Sequence, residues 1–529
     1  MNKAREVAAI KIIKQIFEST QVHDVPQATA LLSKLENKFK GTANYKIHSP
    51  GCYIEVGDIA NDTKLVQKGI DLANRALSAL EKADKSRGLL EFNRGNGFYS
   101  LYKIARSAGT VIDYYNYLPL QNAKLAYSNA LATPNAPDKI RIQTIVNLAN
   151  IYDTLGRTVE AIKLYERALQ IDSSFAMAKA NLGEALYFFA AICGKYRAAT
   201  MIQSYQLIKE ALENTEQLEH IGGREAVLTF QRELTRIGAH FKNKSVLKRN
   251  MRHPTLNMRD ISKYEREYVR FCFSNKMFLN FHIHMSEVLC KAAVTDDLSI
   301  SLVEKVGGGS RFFFYCKYIN QMKEDYATAR FLLFQSIYRR PFLNRISKIT
   351  RYIDTLDYVG NNLYIGMLKA AFNRAYSILD KIAVFLDVYL NLETKGKIYF
   401  TTIWATKKEQ EWIVREEIRN LNNPSLLGIY DVNHDFRSPL YSDIIKIRNA
   451  AEHDRLSVVE FGLASTKNEN ESELVISKAK LQDRTIDLML IAKSCISNLV
   501  NFVNIEENKK IPLKGITLPM TYYEQEQSL

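Results

Sequence analysis

Residues 142–175 read IQTIVNLANIYDTLGRTVEAIKLYERALQIDSSF. Leu148, Ala149 and Tyr152 recur at helical spacing before Gly156, and Ala161, Tyr165 and Ala168 recur after it. Two helices joined by a glycine turn follow from that pattern. The alanines let the helices approach, and the tyrosines fill the groove between them. One such hairpin cannot bury its own apolar face, so further copies must stack on it.

The spacing resembles the tetratricopeptide (TPR) repeat of about 34 residues. Ile145 stands at its usual tryptophan and Ser173 at its usual proline. Degenerate echoes flank it: Ala123, Tyr127 and Ala130, then Leu182-Gly183, and more weakly Ala73, Arg75 and Ala76. A helical solenoid over residues 1–240 is expected. Its groove suits a protein or peptide partner; a scaffold without ligand is the alternative.

The chain has 529 residues, enough for two or three domains. It is 47% hydrophobic, 11% aromatic and 24% charged, a globular balance, and only 11 prolines and 23 glycines interrupt it. Strand-like alternation is rare, so the class is all-α: an N-terminal TPR-like solenoid followed by a C-terminal helical bundle. A net charge of +15 suits a polyanionic partner, or serves solubility alone. The 6 cysteines are scattered without a CxxC pair, which argues against a zinc site and a disulfide framework. No secretory leader is visible, and no uncharged apolar run approaches the ~20 residues that span a bilayer. A cytoplasmic protein with no membrane partner is expected.

FKNKSVLKRNMRH, ahead of Pro254, makes 241–254 a basic linker. Residues 255–350 read as a middle helical segment, 351–510 as the C-terminal bundle and 511–529 as a tail. Near the second boundary stands YRRPFLNRISKITR, with Arg339, Arg340, Arg345, Lys348 and Arg351 interleaved with Tyr338 and Phe342. Such cations can hold RNA phosphates while aromatics stack bases; the alternative is a solvated helix face.

In the bundle, Leu368, Phe372, Tyr376, Leu379 and Ile382 recur at helical spacing. Pro439 and Ser442 then open a helix with a buried stripe of Ile444, Ile445, Ile447 and Ala451, and a long apolar helix near 487–503 closes the domain. Within PLYSDIIKIRNAAEHDRLSVVE lies RNAAEH, Arg448 to His453. It resembles the R-N-x-x-x-H form of the motif of the HEPN superfamily, and IRNAAEHD on a bundle helix is similar to bacterial TPR-HEPN proteins over about 255–505.

That resemblance implies an RNA-cleaving site that needs no metal or cofactor and is assembled from two copies. Arg448 would hold the scissile phosphate, His453 would move a proton, and Asn449 would orient the ring or the phosphate. Asp380, at the end of AFNRAYSILD, matches an acidic position often found on the preceding helix in that superfamily, which implies a pairing with Arg448. Two plainer readings stay open: Arg448 and Glu452 as an i,i+4 ion pair, and His453 as a helix cap. Five helical residues turn a side chain by about 140°, so the pair needs a frayed helix end, a wide cleft or a dimer. The reading is a metal-independent endoribonuclease with a partner-binding TPR region, set in prokaryotic stress or phage defence. The alternative is a non-catalytic TPR adaptor dimerising through the bundle.

Other candidates are weaker. His282, His284 and Glu287 offer metal-ligand atoms but suit local packing. Gly307–Gly309 with Ser310 reads as a hinge, and Asp296 with Asp297 as caps of a helix from Leu298.

Overall fold

The computed structural model describes residues 3–134, 138–248, 256–259, 261–284, 289–298, 300–305, 312–353, 356–408, 411–460, 473–510 and 517–521. Among them lie nineteen α-helices and six short strands. Packing separates two compact units, Met1–Ala185 with Tyr205–Lys242, and Leu186–Ser204 with Asn243–Leu529.

The first unit is a stack of helical hairpins. Residues 142–175 form the helices Asp138–Thr154 and Thr158–Ile171, packed on each other. Gly156 turns the chain at φ +75°, where a Cβ would be strained. Arg157 N–H closes the turn on the Tyr152 carbonyl at 2.7 Å. Ala149, Ala161 and Ala168 are fully buried, and Tyr152 and Tyr165 nearly so. A buried tyrosine hydroxyl needs a partner. Tyr165 donates to Asn150 Oδ1 at 2.8 Å, and the same oxygen accepts Asn181 Nδ2 at 2.8 Å from the helix Ala176–Phe189.

The preceding hairpin, Ser86–Ser107 and Leu118–Ala132, repeats this bonding. Tyr127 donates to Asn96 Oδ1 at 2.8 Å, and Asn147 Nδ2 reaches that oxygen at 3.1 Å. Gly95 makes the room, since a Cβ there would lie 2.5 Å from the Tyr127 ring. The degenerate copy is therefore a working repeat. Lys3–Gln21 with Val25–Phe39, and Ala43–Ile59 with Thr63–Ala79, extend the stack toward the N-terminus.

The second unit is a bundle around the helix Lys478–Lys509, which packs on Phe312–Ile337, Leu363–Leu390 and Pro424–Arg437. Leu368, Phe372, Tyr376, Leu379 and Ile382 are buried on Leu363–Leu390 as their spacing predicts. Lys478–Lys509 is, among the described residues, the one helix long and apolar enough to cross a membrane. Its apolar window is 83% buried inside the fold, as a core helix is. Three two-stranded ladders decorate the bundle. Ser301–Lys305 pairs antiparallel with Thr517–Thr521, Ala405–Lys408 antiparallel with Glu411–Val414, and Arg455–Val459 parallel with Glu473–Ser477. Arg249, Arg252, Pro254, Glu287 and Gly307–Ser310 lie outside the described residues.

Asp296 and Asp297 cap no helix, because residues 295–298 are irregular and a strand follows. Asp296 instead takes both Nη atoms of Arg330, at 2.9 and 2.7 Å. Arg330 is 5% exposed and also donates to the Met277 carbonyl and the Tyr268 hydroxyl. Burial pushes the Asp296 carboxyl up, but the Arg330 charge and hydrogen bonds outweigh it and hold the group below its ordinary value. Removing one partner of a buried pair strands the other charge. Asp296→Ala should therefore cost about 3–5 kcal/mol of stability. Asp297, whose carboxylate accepts the Thr295 hydroxyl at 3.2 Å, should cost under about 1 kcal/mol as alanine. Urea midpoints that fall equally for the two variants would contradict this.

Candidate functional site

The motif helix runs Ser442–Glu452 and buries Ile444, Ile447 and Ala450 against Leu363–Leu390 and Pro424–Arg437. Ile445 and Ala451, expected in that stripe, are half-buried. The start of the helix is fixed from the core helix: Arg484 Nε donates to Asp443 Oδ2 at 2.7 Å and Nη1 to Asp487 Oδ2 at 3.0 Å. The guanidinium of Arg484 also lies 5.3 Å from the centre of the Tyr441 ring. Nothing local in the sequence marked Arg484, since its partner Asp443 is 41 residues away.

The helix ends one residue before His453, whose backbone leaves helical geometry at φ −121° and ψ −25° while its N–H still reaches the Asn449 carbonyl at 2.9 Å. This release undoes the 140° mismatch of a continuous helix, about five residues' rotation. The His453 ring swings back, and Arg448 Nη1 lies 3.3 Å from its Nε2. A guanidinium has only protons to give, so Nε2 accepts and the ring proton of a neutral imidazole sits on Nδ1. Arg448 Nη1 also donates to Asn449 Oδ1 at 3.2 Å.

Arg448 Nη2 pairs with Glu452 Oε2 at 2.9 Å, and the same carboxylate oxygen lies 3.8 Å from His453 Nε2. The i,i+4 ion pair is thus formed together with the Arg–His contact. Behind the guanidinium lies the buried Tyr376 ring, 5.5 Å away. The Arg448 side chain is 16% exposed and that of His453 65%, so an arriving ligand meets the imidazole first. Arg448 Nε is buried without a hydrogen-bond partner.

Asp380 does not pair with Arg448. Its Oδ1 accepts the Phe400 N–H at 2.9 Å, which fixes the chain after the helix Leu363–Leu390. Burial pushes its carboxyl above the ordinary value, with Glu452 adding to the push; the Phe400 hydrogen bond and the Arg448 charge only partly offset it. Burial, then the charge of Asp380, likewise raises the Tyr376 hydroxyl.

The five cations of the basic stretch divide. Arg339 reaches Glu460 at 3.5 Å and lies over the Tyr364 ring, and Arg340 stacks on Tyr264 at 3.2 Å. Arg345, Lys348 and Arg351 are exposed and form no ion pair among the described residues. None of the five touches Arg448 or His453. His282 and His284 are buried in a short 3-10 turn, where His284 Nε2 meets Lys493 Nζ at 3.0 Å. Among the described residues no three His, Cys, Asp or Glu side chains gather into a metal site.

Residues 310–506 match the family model described as LA2681-like HEPN. No curated protein matches. A solved structure titled "Functional Characterization of Pseudomonas Aeruginosa pilF" aligns with 46% of this chain and 99% of its own, at 13% identity and a TM-score of 0.30.

Asp380 gives the site a pH signature. Its carboxyl is raised in the folded state, so its contribution to stability is full below the unfolded pKa and lost as pH rises through the folded one. Asp380→Asn keeps an oxygen for Phe400 and cannot ionise. Its melting temperature should gain on that of the unaltered protein as pH rises from about 4 to about 7. A difference that stays flat or shrinks over that range would refute the assignment.

Proposed function

Residues 310–506 being a LA2681-like HEPN domain, we propose that this chain is a metal-independent endoribonuclease whose cleavage site is built on Arg448 and His453. The observation that supports it is the 3.3 Å approach of guanidinium and imidazole at the frayed end of one helix. In the reaction, an imidazole takes the proton of a ribose 2′-hydroxyl and the 2′-oxygen attacks the adjacent phosphorus. The bond from phosphorus to the 5′-oxygen breaks, that oxygen leaves with a proton, and a 2′,3′-cyclic phosphate remains. Arg448 stabilises the added charge on the phosphoryl oxygens, and Asn449 holds the guanidinium toward the ring.

The step needs one group to accept a proton and another to supply one. A single chain brings one His453, so a homodimer that faces two motifs across one cleft completes the set. Asp380 acts from behind, by fixing the following chain and adding to the field around Arg448. The TPR-like unit binds the protein or peptide partner that governs the nuclease, in the cytoplasm of a cell under stress or phage attack.

One observation favours the adaptor reading. Glu452 already neutralises Arg448, and a phosphate must displace it. In that reading the bundle serves dimerisation alone.

The purified protein should cleave RNA in the presence of EDTA and leave DNA intact. His453→Ala should slow cleavage by roughly 100-fold or more through lost proton transfer, and Arg448→Ala by a similar factor. Both variants should stay folded, with His453→Ala, the more exposed position, losing the less stability. Light scattering at micromolar concentration should give a dimer. RNA left intact by the unaltered protein and its partner would favour the adaptor. Loss of cleavage in EDTA with recovery on adding a divalent ion would direct attention to His282 and His284.

A further inference from the structure

The first unit holds a cavity of about 380 Å³ walled by the helices Val25–Phe39, Ala43–Ile59 and Thr63–Ala79 and by Lys40. That size falls within the roughly 300–1,000 Å³ of small-molecule sites. Four cations, Lys40, Lys64, Lys68 and Arg75, and two carboxylates, Glu36 and Asp71, line it. Lys68 Nζ donates to both Glu36 oxygens, at 2.9 and 3.0 Å, and the buried Tyr53 hydroxyl donates to Glu36 Oε2 at 2.6 Å. The Tyr53 hydrogen bond, then that of Lys68, hold the Glu36 carboxyl below its ordinary value, so Glu36 and Lys68 neutralise each other. Lys40, Lys64 and Arg75 are exposed and form no ion pair among the described residues. Asp71 is left as the one lining carboxylate against those three cations. Its Oδ1 accepts Gln67 Nε2 at 3.0 Å, and Oδ2 is open to a further donor.

We propose that this cavity binds a nucleoside polyphosphate. Its ligand must carry several negative charges, yet bring a donor to Asp71. Phosphate oxygens meet Lys40, Lys64 and Arg75 in charge-assisted hydrogen bonds, and a ribose hydroxyl donates to Asp71. The base lies against Tyr45 and Leu72, which supply the apolar part of the wall.

Three other occupants fit less well. Inorganic phosphate would engage the cations but offer Asp71 only like charge. An acidic peptide would set its carboxylates beside Glu36 and Asp71 as well as beside the cations. An RNA strand spreads its contacts along a groove several nucleotides long, whereas this enclosure is of single-ligand size. The site belongs to the TPR-like unit and its readout is binding, so it stands or falls independently of any nuclease activity.

The test is titration calorimetry on the full chain in EDTA, with ATP, inorganic tripolyphosphate and adenosine as separate ligands. ATP should bind at one site per chain, tripolyphosphate at least ~10-fold more weakly, and adenosine not measurably. Lys64→Gln with Arg75→Gln should weaken ATP and tripolyphosphate alike, by at least ~10-fold. Asp71→Asn should weaken ATP but leave tripolyphosphate unchanged or tighter, because it removes a hydroxyl acceptor and a negative charge together. Melting temperatures equal to that of the unaltered protein establish that the variants fold. Should the double variant fail to fold, Lys64→Gln alone, at an exposed position of the first helical turn, decides the outcome. No heat from ATP at millimolar concentration, or variants that bind like the unaltered protein, would overturn the proposal. So would equal binding of ATP and tripolyphosphate, which assigns the cavity to general attraction of anions. A 2′-O-methyl RNA oligonucleotide that displaces ATP at lower concentration than ATP itself requires would overturn it too, in favour of an RNA strand.

Discussion

The helix Lys478–Lys509 is buried along most of its length, yet it is not simply apolar. Lys493, Asn501, Asn504 and Glu507 are all inside. Each buried polar group must be matched, and the matches fix the neighbours. Asn501 Nδ2 donates to Ser425 Oγ at 3.0 Å, which sets the start of the helix Pro424–Arg437. Asn504 Oδ1 accepts the Ser301 N–H at 2.7 Å, at the head of the strand Ser301–Lys305. Glu507 accepts the Tyr389 hydroxyl at 2.6 Å, near the end of Leu363–Leu390. Lys493 donates to the Lys276 carbonyl at 3.0 Å. An all-leucine helix of the same length would permit sliding; these contacts define one register.

The candidate site inherits that register. Arg484, on the same core helix, holds Asp443 at the start of the motif helix, while Ile444, Ile447 and Ala450 seat its buried face. The far end is then free to unwind after Glu452. Unwinding is what brings His453 to Arg448, and a helix continued by one turn would carry the imidazole away. The depth of Arg448 against Tyr376, with His453 in solvent, sets a held guanidinium behind an exposed imidazole. Glu452 faces both side chains, so any anion that engaged Arg448 would have to break an ion pair first.

Several of these features were legible in the sequence, for local reasons. Leu148, Ala149, Tyr152, Ala161, Tyr165 and Ala168 lie close in sequence, so helical periodicity alone places them. The Arg448–Glu452 pair follows from four-residue spacing. The repeat around Tyr127 was weaker in sequence because its packing rests on Gly95 and Asn96 of a different helix. The Asp296–Arg330 pair spans 34 residues and defeated a capping rule that sees only neighbours. The parallel ladder of Arg455–Val459 with Glu473–Ser477 was missed because short strands within helical context carry too little alternation. Asp380 was placed near Arg448 from the resemblance alone, and its hydrogen bond to Phe400 N–H was not foreseeable from spacing.

If a 2′-oxygen is the nucleophile at the proposed Arg448–His453 site, the chemistry of the cut ends records it. Mass spectrometry of fragments from a defined RNA should then find 2′,3′-cyclic phosphate or its 3′-phosphate product. A single 2′-O-methyl group at the cleaved nucleotide should leave that linkage whole. Fragments ending in a 3′-hydroxyl, or cleavage that proceeds through the methylated position, would contradict it.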